Sequence, residues 1–299
     1  MKKAAFVGTG LIGAGLAVNA VMHGYDVFMY YRRNFESLAE RVRGILRIFT
    51  DNQVCSVRQA EEWFNSISFT MELSEAVDGA VIVQESIAES ADMKREMYTQ
   101  IQDICGDSPL IASSTSTLFP SSLSEGARYP ERIVVGHPYN PAHLLPVIEI
   151  CGGLSASESS VCQAKAIYTE WGKVPVVCLK EDTGFIVNNI SWAAMEICHK
   201  KVVSGVCTAE DMDKAIIYGP GLRMAILGQI LTISLGAEGG FRNIDAKYGR
   251  PFNPENEIMA QGVDEMMKNR LPVTGNSVET IEAYRDKMII DILKLQNLI

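Results

Sequence analysis

Lys3-Ala4-Ala5-Phe6-Val7-Gly8-Thr9-Gly10-Leu11-Ile12-Gly13 decides how this chain folds. Residues 3–7 form a short run of strand length, mostly apolar, and the run passes at once into the spacing G-x-G-x-x-G. In that spacing Gly8 makes the tight turn, Gly10 lets backbone approach a pyrophosphate, and Gly13 lets the following helix pack on the strand. The phosphates then sit at the positive end of that helix. A glycine pattern alone is a weak signal. Here residues 14–23 read as a helix and residues 25–30, after Gly24, as a second strand, so strand, loop, helix and strand follow in the order of a dinucleotide-binding unit. Gly8, Gly10, Leu11, Ile12 and Gly13 are the cofactor candidates of this loop. Met1-Lys2-Lys3 before a small apolar segment also has the look of a signal peptide. Asn19 and His23 interrupt that segment and no small-x-small cleavage site follows, so export ranks below the nucleotide reading.

Working outward, the pattern repeats. Strands are expected at residues 66–70, 80–84, 110–112, 133–135, 147–150 and 174–179, with helices at 35–49, 51–64, 73–77, 92–104 and 158–171. From Thr183 onward only helical periods recur, at 185–203, 209–218, 225–235, 254–267 and 278–298. The expected fold class is α/β: a Rossmann-type doubly wound parallel sheet over residues 1–182, then an all-helical C-terminal domain over 183–299, joined at Lys180-Glu181-Asp182. The apolar stretch 186–197 reads either as domain core or as the interface of a homodimer.

The second informative stretch runs from Gly136 to Ile150, Gly-His-Pro-Tyr-Asn-Pro-Ala-His-Leu-Leu-Pro-Val-Ile-Glu-Ile. His137 stands at the carboxyl end of an expected strand, where open α/β sheets bind ligands. Three prolines between 138 and 146 exclude a helix, so the chain loops back, and an antiparallel return places Glu149 beside His137. A carboxylate on one ring nitrogen fixes the tautomer of a general base. The plainer alternative is a loop histidine and a salt-bridged glutamate. Five consecutive hydroxyls, Ser113 to Thr117, leave another strand end, and read either as site residues or as the N-cap of a helix near 121–125.

Composition sets the class. The 299 residues are 47% hydrophobic, enough core for one large or two ordinary domains. A formal net charge of −9 lacks the electrostatic footprint of a nucleic-acid partner, and no uninterrupted run of 18 apolar residues marks a membrane span. A small-molecule partner and a cytoplasmic location are expected. The seven cysteines show no zinc-type spacing, so no metal is expected and the thiols read as reduced core residues, with Cys207 the exception that could be partly exposed.

The glycine loop resembles the 3-hydroxyacyl-CoA dehydrogenase superfamily when taken with four further groups of residues. These are Gln84-Glu85-Ser86-Ile87-Ala88-Glu89 with Lys94, Ser113 to Thr117, His137 with Asn140 and Glu149, and Gly184-Phe185-Ile186-Val187-Asn188. The resemblance covers nearly the whole chain. It implies a reversible hydride transfer between nicotinamide and the 3-hydroxy carbon of an acid. His137 is then the base and Glu149 its orienting partner, Ser116 and Asn188 bond the substrate oxygen and the imidazole, and Glu89, Lys94 and Asn140 lie near the cofactor. Gly219-Pro220-Gly221-Leu222-Arg223-Met224 and Glu238-Gly239-Gly240 are more similar to the branch that acts on free acids, carnitine-like or gulonate-like. Pro146, where acyl-CoA members carry a lysine, agrees with that branch. The acyl-CoA thioester is the alternative substrate, and a non-catalytic dinucleotide-binding protein is the remote one.

Two expectations concern charge. A free carboxylate needs a cation, and Arg223 or Arg242 could supply it, although either could equally be a surface arginine. The second concerns the 2′ position of the ribose. NAD-binding units carry an acid there, at the end of the second strand, whereas this chain has Tyr31 followed by Arg32 and Arg33. Tyr31 and Arg32 therefore favour NADP(H) slightly, with NAD(H) the alternative if the guanidiniums face solvent.

Overall fold

The structure, a computed structural model, describes residues 1–299. The first half alternates strands and helices: β1 (Lys3–Val7), α1 (Leu11–Met22), β2 (Asp26–Tyr30), α2 (Phe35–Asp51), α3 (Val57–Asn65), β3 (Ile67–Thr70), α4 (Leu73–Val77), β4 (Ala80–Glu85), α5 (Ala91–Cys105), β5 (Leu110–Ser113), α6 (Pro120–Leu123), β6 (Ile133–Pro138), β7 (Val147–Cys151), α7 (Glu158–Glu170) and β8 (Val174–Cys178). These eight strands form one sheet in the order β3-β2-β1-β4-β5-β6-β7-β8, parallel except where β7 runs antiparallel to β6. The chain starts at the centre, winds to one edge through β3, and crosses back to β4 on the other side of β1. That reversal opens a crevice at the carboxyl ends of β1 and β4.

Alternation along the strands builds a core on each face. Ala4 and Phe6 of β1 join a cluster with α1, α2 and α7, while Ala5 and Val7 join one with α4, α5 and α6. Nine of the twelve residues of α1 are buried, which is why it reads as apolar all round.

The chain divides into two compact units, Met1–Ala193 and Ala194–Ile299. The helices beyond β8 are α8 (Val187–Val203), α9 (Ala209–Tyr218), α10 (Pro220–Leu227), α11 (Gln229–Leu235), α12 (Ile244–Lys247), α13 (Glu255–Asn269) and α14 (Val278–Leu295). The second unit has its own core of Leu227, Leu231, Phe241, Ala260, Val263 and Ile281. No single helix is long and apolar enough to cross a membrane.

Several local expectations are corrected. The helix expected over 51–64 does not exist as one piece. Instead α2 continues to Asp51, Gln53 takes a left-handed φ of 59°, and a Ser56/Gln59 capping box restarts the chain as α3. The helix expected over 225–235 is broken at Gly228, whose φ of +73° separates α10 from α11. The hydroxyl run caps nothing, because α6 starts after Phe119 with no side-chain cap. Nor are all the thiols core residues. All seven are free, only Cys151 and Cys178 are buried, and Cys162 is exposed because α7 turns Ser160, Ala164, Ile167 and Tyr168 inward instead.

Candidate active site

The glycine loop has little freedom in two places. Gly8 adopts φ +122°, and a Cβ there would lie 2.4 Å from the Ser86 carbonyl oxygen; a Cβ on Gly13 would lie 2.3 Å from the carbonyl oxygen of Gly8. At Gly10 a Cβ would meet nothing within 4 Å, so the loop is closed towards the protein and open outward at this residue. A cleft of about 570 Å³ begins there, lined by Gly8, Thr9 and Gly10, by Tyr31, Arg32 and Arg33 after β2, and by Ser86 and Ile87 after β4. Gly10 caps α1 without a side-chain bond, and the first turn of that helix has no acid, so its free N–H groups suit a pyrophosphate. The Arg41 guanidinium on α2 fastens the loop from outside by donating to the Thr9 carbonyl. These residues fit a nicotinamide dinucleotide.

At the end of β2, Tyr31 is half-buried with its ring 5.8 Å from that of Phe35, while Arg32 and Arg33 are exposed and make no ion pair. No acid lies among the residues lining the cleft.

The second centre lies at the ends of β6 and β7, whose register sets His137 directly opposite Glu149. Their side chains meet with Nδ1 2.8 Å from Oε2, and both are buried, at 6% and 1% exposure. Oε1 of Glu149 accepts the backbone N–H groups of Ile186 and Val187, at 2.7 and 2.9 Å, where α8 begins. Burial by itself pushes the Glu149 carboxyl up, but the hydrogen bonds from His137, Val187 and Ile186 outweigh it and hold the group below the ordinary carboxylate range. An ionised carboxylate only accepts, so Nδ1 carries the ring proton and Nε2 keeps a free lone pair. The turn that aims those two N–H groups contains Phe185 at a left-handed φ of 53°, buried with its ring 5.6 Å from His137. Asn189 ties the turn by donating to the Thr183 and Phe185 carbonyls. Asn188 follows Val187 in the first turn of α8.

A third cluster lies beyond β4 and β5. Oε1 of Glu89 accepts from the hydroxyls of Thr115 and Thr117 and from the Ser116 backbone N–H, which fixes the loop carrying Ser116. Burial raises the Glu89 carboxyl, and the Thr115 hydrogen bond, the Lys94 charge and the remaining donors more than reverse this. Lys94 is 1% exposed, with Nζ 2.7 Å from Glu85 and 3.5 Å from Glu89. Glu85 also accepts from Tyr98, Ser113 and the Ile87 N–H. Lys94 is therefore held between these two carboxylates. The partner role of Glu85 was missed from sequence; its position at a strand exit nine residues before Lys94 was the available signal.

Behind the loop that joins His137 to Glu149, the buried Lys173 ammonium donates to the carbonyls of Ala142 and Leu145, and burial pulls its pKa down to about 8. Asn140 is exposed on that loop. In the helical unit Arg223 is exposed without an ion pair, whereas Arg242 is held by Glu257 and Asp264 at 3.1 and 2.9 Å, so its charge is already matched.

A dinucleotide cleft and a carboxylate-oriented histidine on one parallel sheet are the equipment of a nicotinamide-dependent dehydrogenase acting on a CH–OH group. Comparison with known proteins gives the same class. Residues 3–182 match the NAD binding domain, and residues 184–273 the C-terminal domain, of 3-hydroxyacyl-CoA dehydrogenase. The chain belongs to that family. Among curated relatives it is 33% identical to an L-carnitine dehydrogenase of a Pseudomonas species, covering 98% of this chain and 94% of the relative. It is 32% identical to an L-carnitine dehydrogenase of Bacillus cereus, covering 99% and 92%. A similar solved structure is the 3-hydroxyacyl-CoA dehydrogenase of Archaeoglobus fulgidus, with TM-score 0.73 and 20% identity over all of both chains. Another is the (S)-3-hydroxybutyryl-CoA dehydrogenase of Ralstonia eutropha, with TM-score 0.68 and 20% identity, covering 89% and 95%. These last two likenesses concern the fold.

Proposed function

We propose that this chain interconverts the 3-hydroxy and 3-oxo forms of a small free acid of the carnitine type, with NADP(H) as its preferred cofactor. The observation that carries the chemistry is the His137–Glu149 pair at the sheet's carboxyl edge, with Glu149 buried and ionised by its donors. In oxidation the His137 Nε2 lone pair takes the hydroxyl proton as the C=O bond forms, and Glu149 stabilises the resulting imidazolium. A nicotinamide held at the glycine cleft would supply the acceptor for the hydride that leaves the carbinol carbon. Ser116, on the loop pinned by Glu89, and Asn188, in the first turn of α8, orient the substrate oxygen and the imidazole.

The free-acid preference rests on the carnitine dehydrogenases among the relatives and on charge. Arg43, Arg47 and Arg58 on α2 and α3 are each paired with a glutamate, at 2.8, 3.4 and 2.8 Å, which leaves no free basic cluster there for a CoA phosphate. The NADP(H) preference rests on the missing acid and the two unpaired guanidiniums after Tyr31. Two copies pair through α8, where Ile190, Trp192, Met195 and Ile197 are 48–64% exposed; a monomer by light scattering contradicts this. The test of the whole reading is turnover of carnitine, gulonate, 3-hydroxybutyrate and 3-hydroxybutyryl-CoA with each cofactor. A free acid should win by at least about tenfold in kcat/KM, and preference for the thioester by orders of magnitude would overturn the assignment.

A further inference from the structure

Tyr139 lies two residues beyond His137, and its hydroxyl is 2.7 Å from that of Ser191 on α8. Val187, whose N–H holds Glu149, is four residues before Ser191, and Asn188 is three before it. Residues at these spacings share one face of a helix. The hydroxyl pair therefore lies along the helix face that supports the catalytic histidine, one turn further on. Both residues are half-buried. Two hydroxyls hold two protons and their mutual bond uses one, while neither makes any other side-chain hydrogen bond. One O–H is left to donate, and no side chain of the protein takes it.

We propose that the Tyr139–Ser191 hydroxyl pair is a specificity element that donates its free hydrogen bond to the carboxylate of the small 3-hydroxy acid. The inference rests on the free-acid reading and adds to it the side chains that tell a carboxylate from a thioester. A charge-assisted hydrogen bond of this kind contributes more than a neutral one, so an anionic acid gains from it and an uncharged thioester gains little. Neither hydroxyl takes part in moving the proton or hydride.

The test is the double variant Tyr139→Phe/Ser191→Ala, assayed with 3-hydroxybutyrate and 3-hydroxybutyryl-CoA, with cofactor affinity read by fluorescence titration without turnover. The expected result is a rise of about tenfold in KM for the acid, little change in KM for the thioester, and an unchanged cofactor Kd. Either equal changes for both substrates or no change for the acid would overturn the pair's role while leaving the free-acid reading in place. A wild-type enzyme that turns over only the thioester would overturn both.

Discussion

The ends of β2 and β6 lie on the same edge of one sheet, yet they are built in opposite ways. At β6 the pair is fully committed: His137 to Glu149, and Glu149 to two N–H groups where α8 begins, with both side chains buried. At β2 the guanidiniums of Arg32 and Arg33 are exposed and unpaired beside the cleft. Under the proposed function the difference separates two tasks. A proton-transfer group has to be held before the substrate arrives, because geometry lost there is lost from the transition state. A group that chooses between two cofactors needs only an uncommitted charge that the right one can engage.

Substitutions break the two ends differently. Glu149→Gln should have the largest effect in this comparison, lowering kcat by about 10² or more, because an amide can present the wrong group to Nδ1 and cannot balance an imidazolium. Steady-state turnover at saturating cofactor checks this, with near wild-type kcat as the contrary result. Arg32→Ala should leave kcat close to wild type and lower the NADP/NAD ratio of kcat/KM by about tenfold, since one of two available guanidiniums is removed. A wild-type preference for NAD that the substitution leaves alone would show that the arginine reads no phosphate.

Stability sharpens the contrast further. The Glu149 carboxyl is held below its ordinary value of 4.5, so its contribution is fully present above that pH and is lost as pH falls through the lowered value. Glu149→Gln should therefore cost about 2 kcal/mol near pH 7 and progressively less below about pH 4.5. Thermal unfolding across pH 3 to 7 reads this directly. Arg32→Ala, with no partner to lose, should shift Tm little at any pH.

Much of this was legible in the sequence because it is local. Gly8, Gly10 and Gly13 mark the passage from a strand into a helix within eleven residues, and three prolines force the return that sets Glu149 opposite His137. What was not legible depends on residues far apart in the chain, or on single dihedral angles. Nothing near Glu149 in sequence announces that Ile186 and Val187, nearly forty residues on, will bind it, nor that Phe185 will turn left-handed to let them. The hydroxyl run from Ser113 read equally as site residues or as a helix cap, because both uses suit such residues, whereas in the fold Glu89 gathers three of its donors. Gly228 hid a helix break inside an apolar pattern that is continuous on either side.

The claim at the centre is that His137, oriented by Glu149, moves the substrate proton. It is tested most directly by measuring kcat and cofactor Kd for His137→Ala beside the wild type. The account predicts a loss of about 10² to 10⁴ in kcat with the cofactor Kd unchanged, because the base is removed and the glycine cleft is untouched. Turnover near the wild-type rate in a folded variant that binds cofactor normally would contradict it.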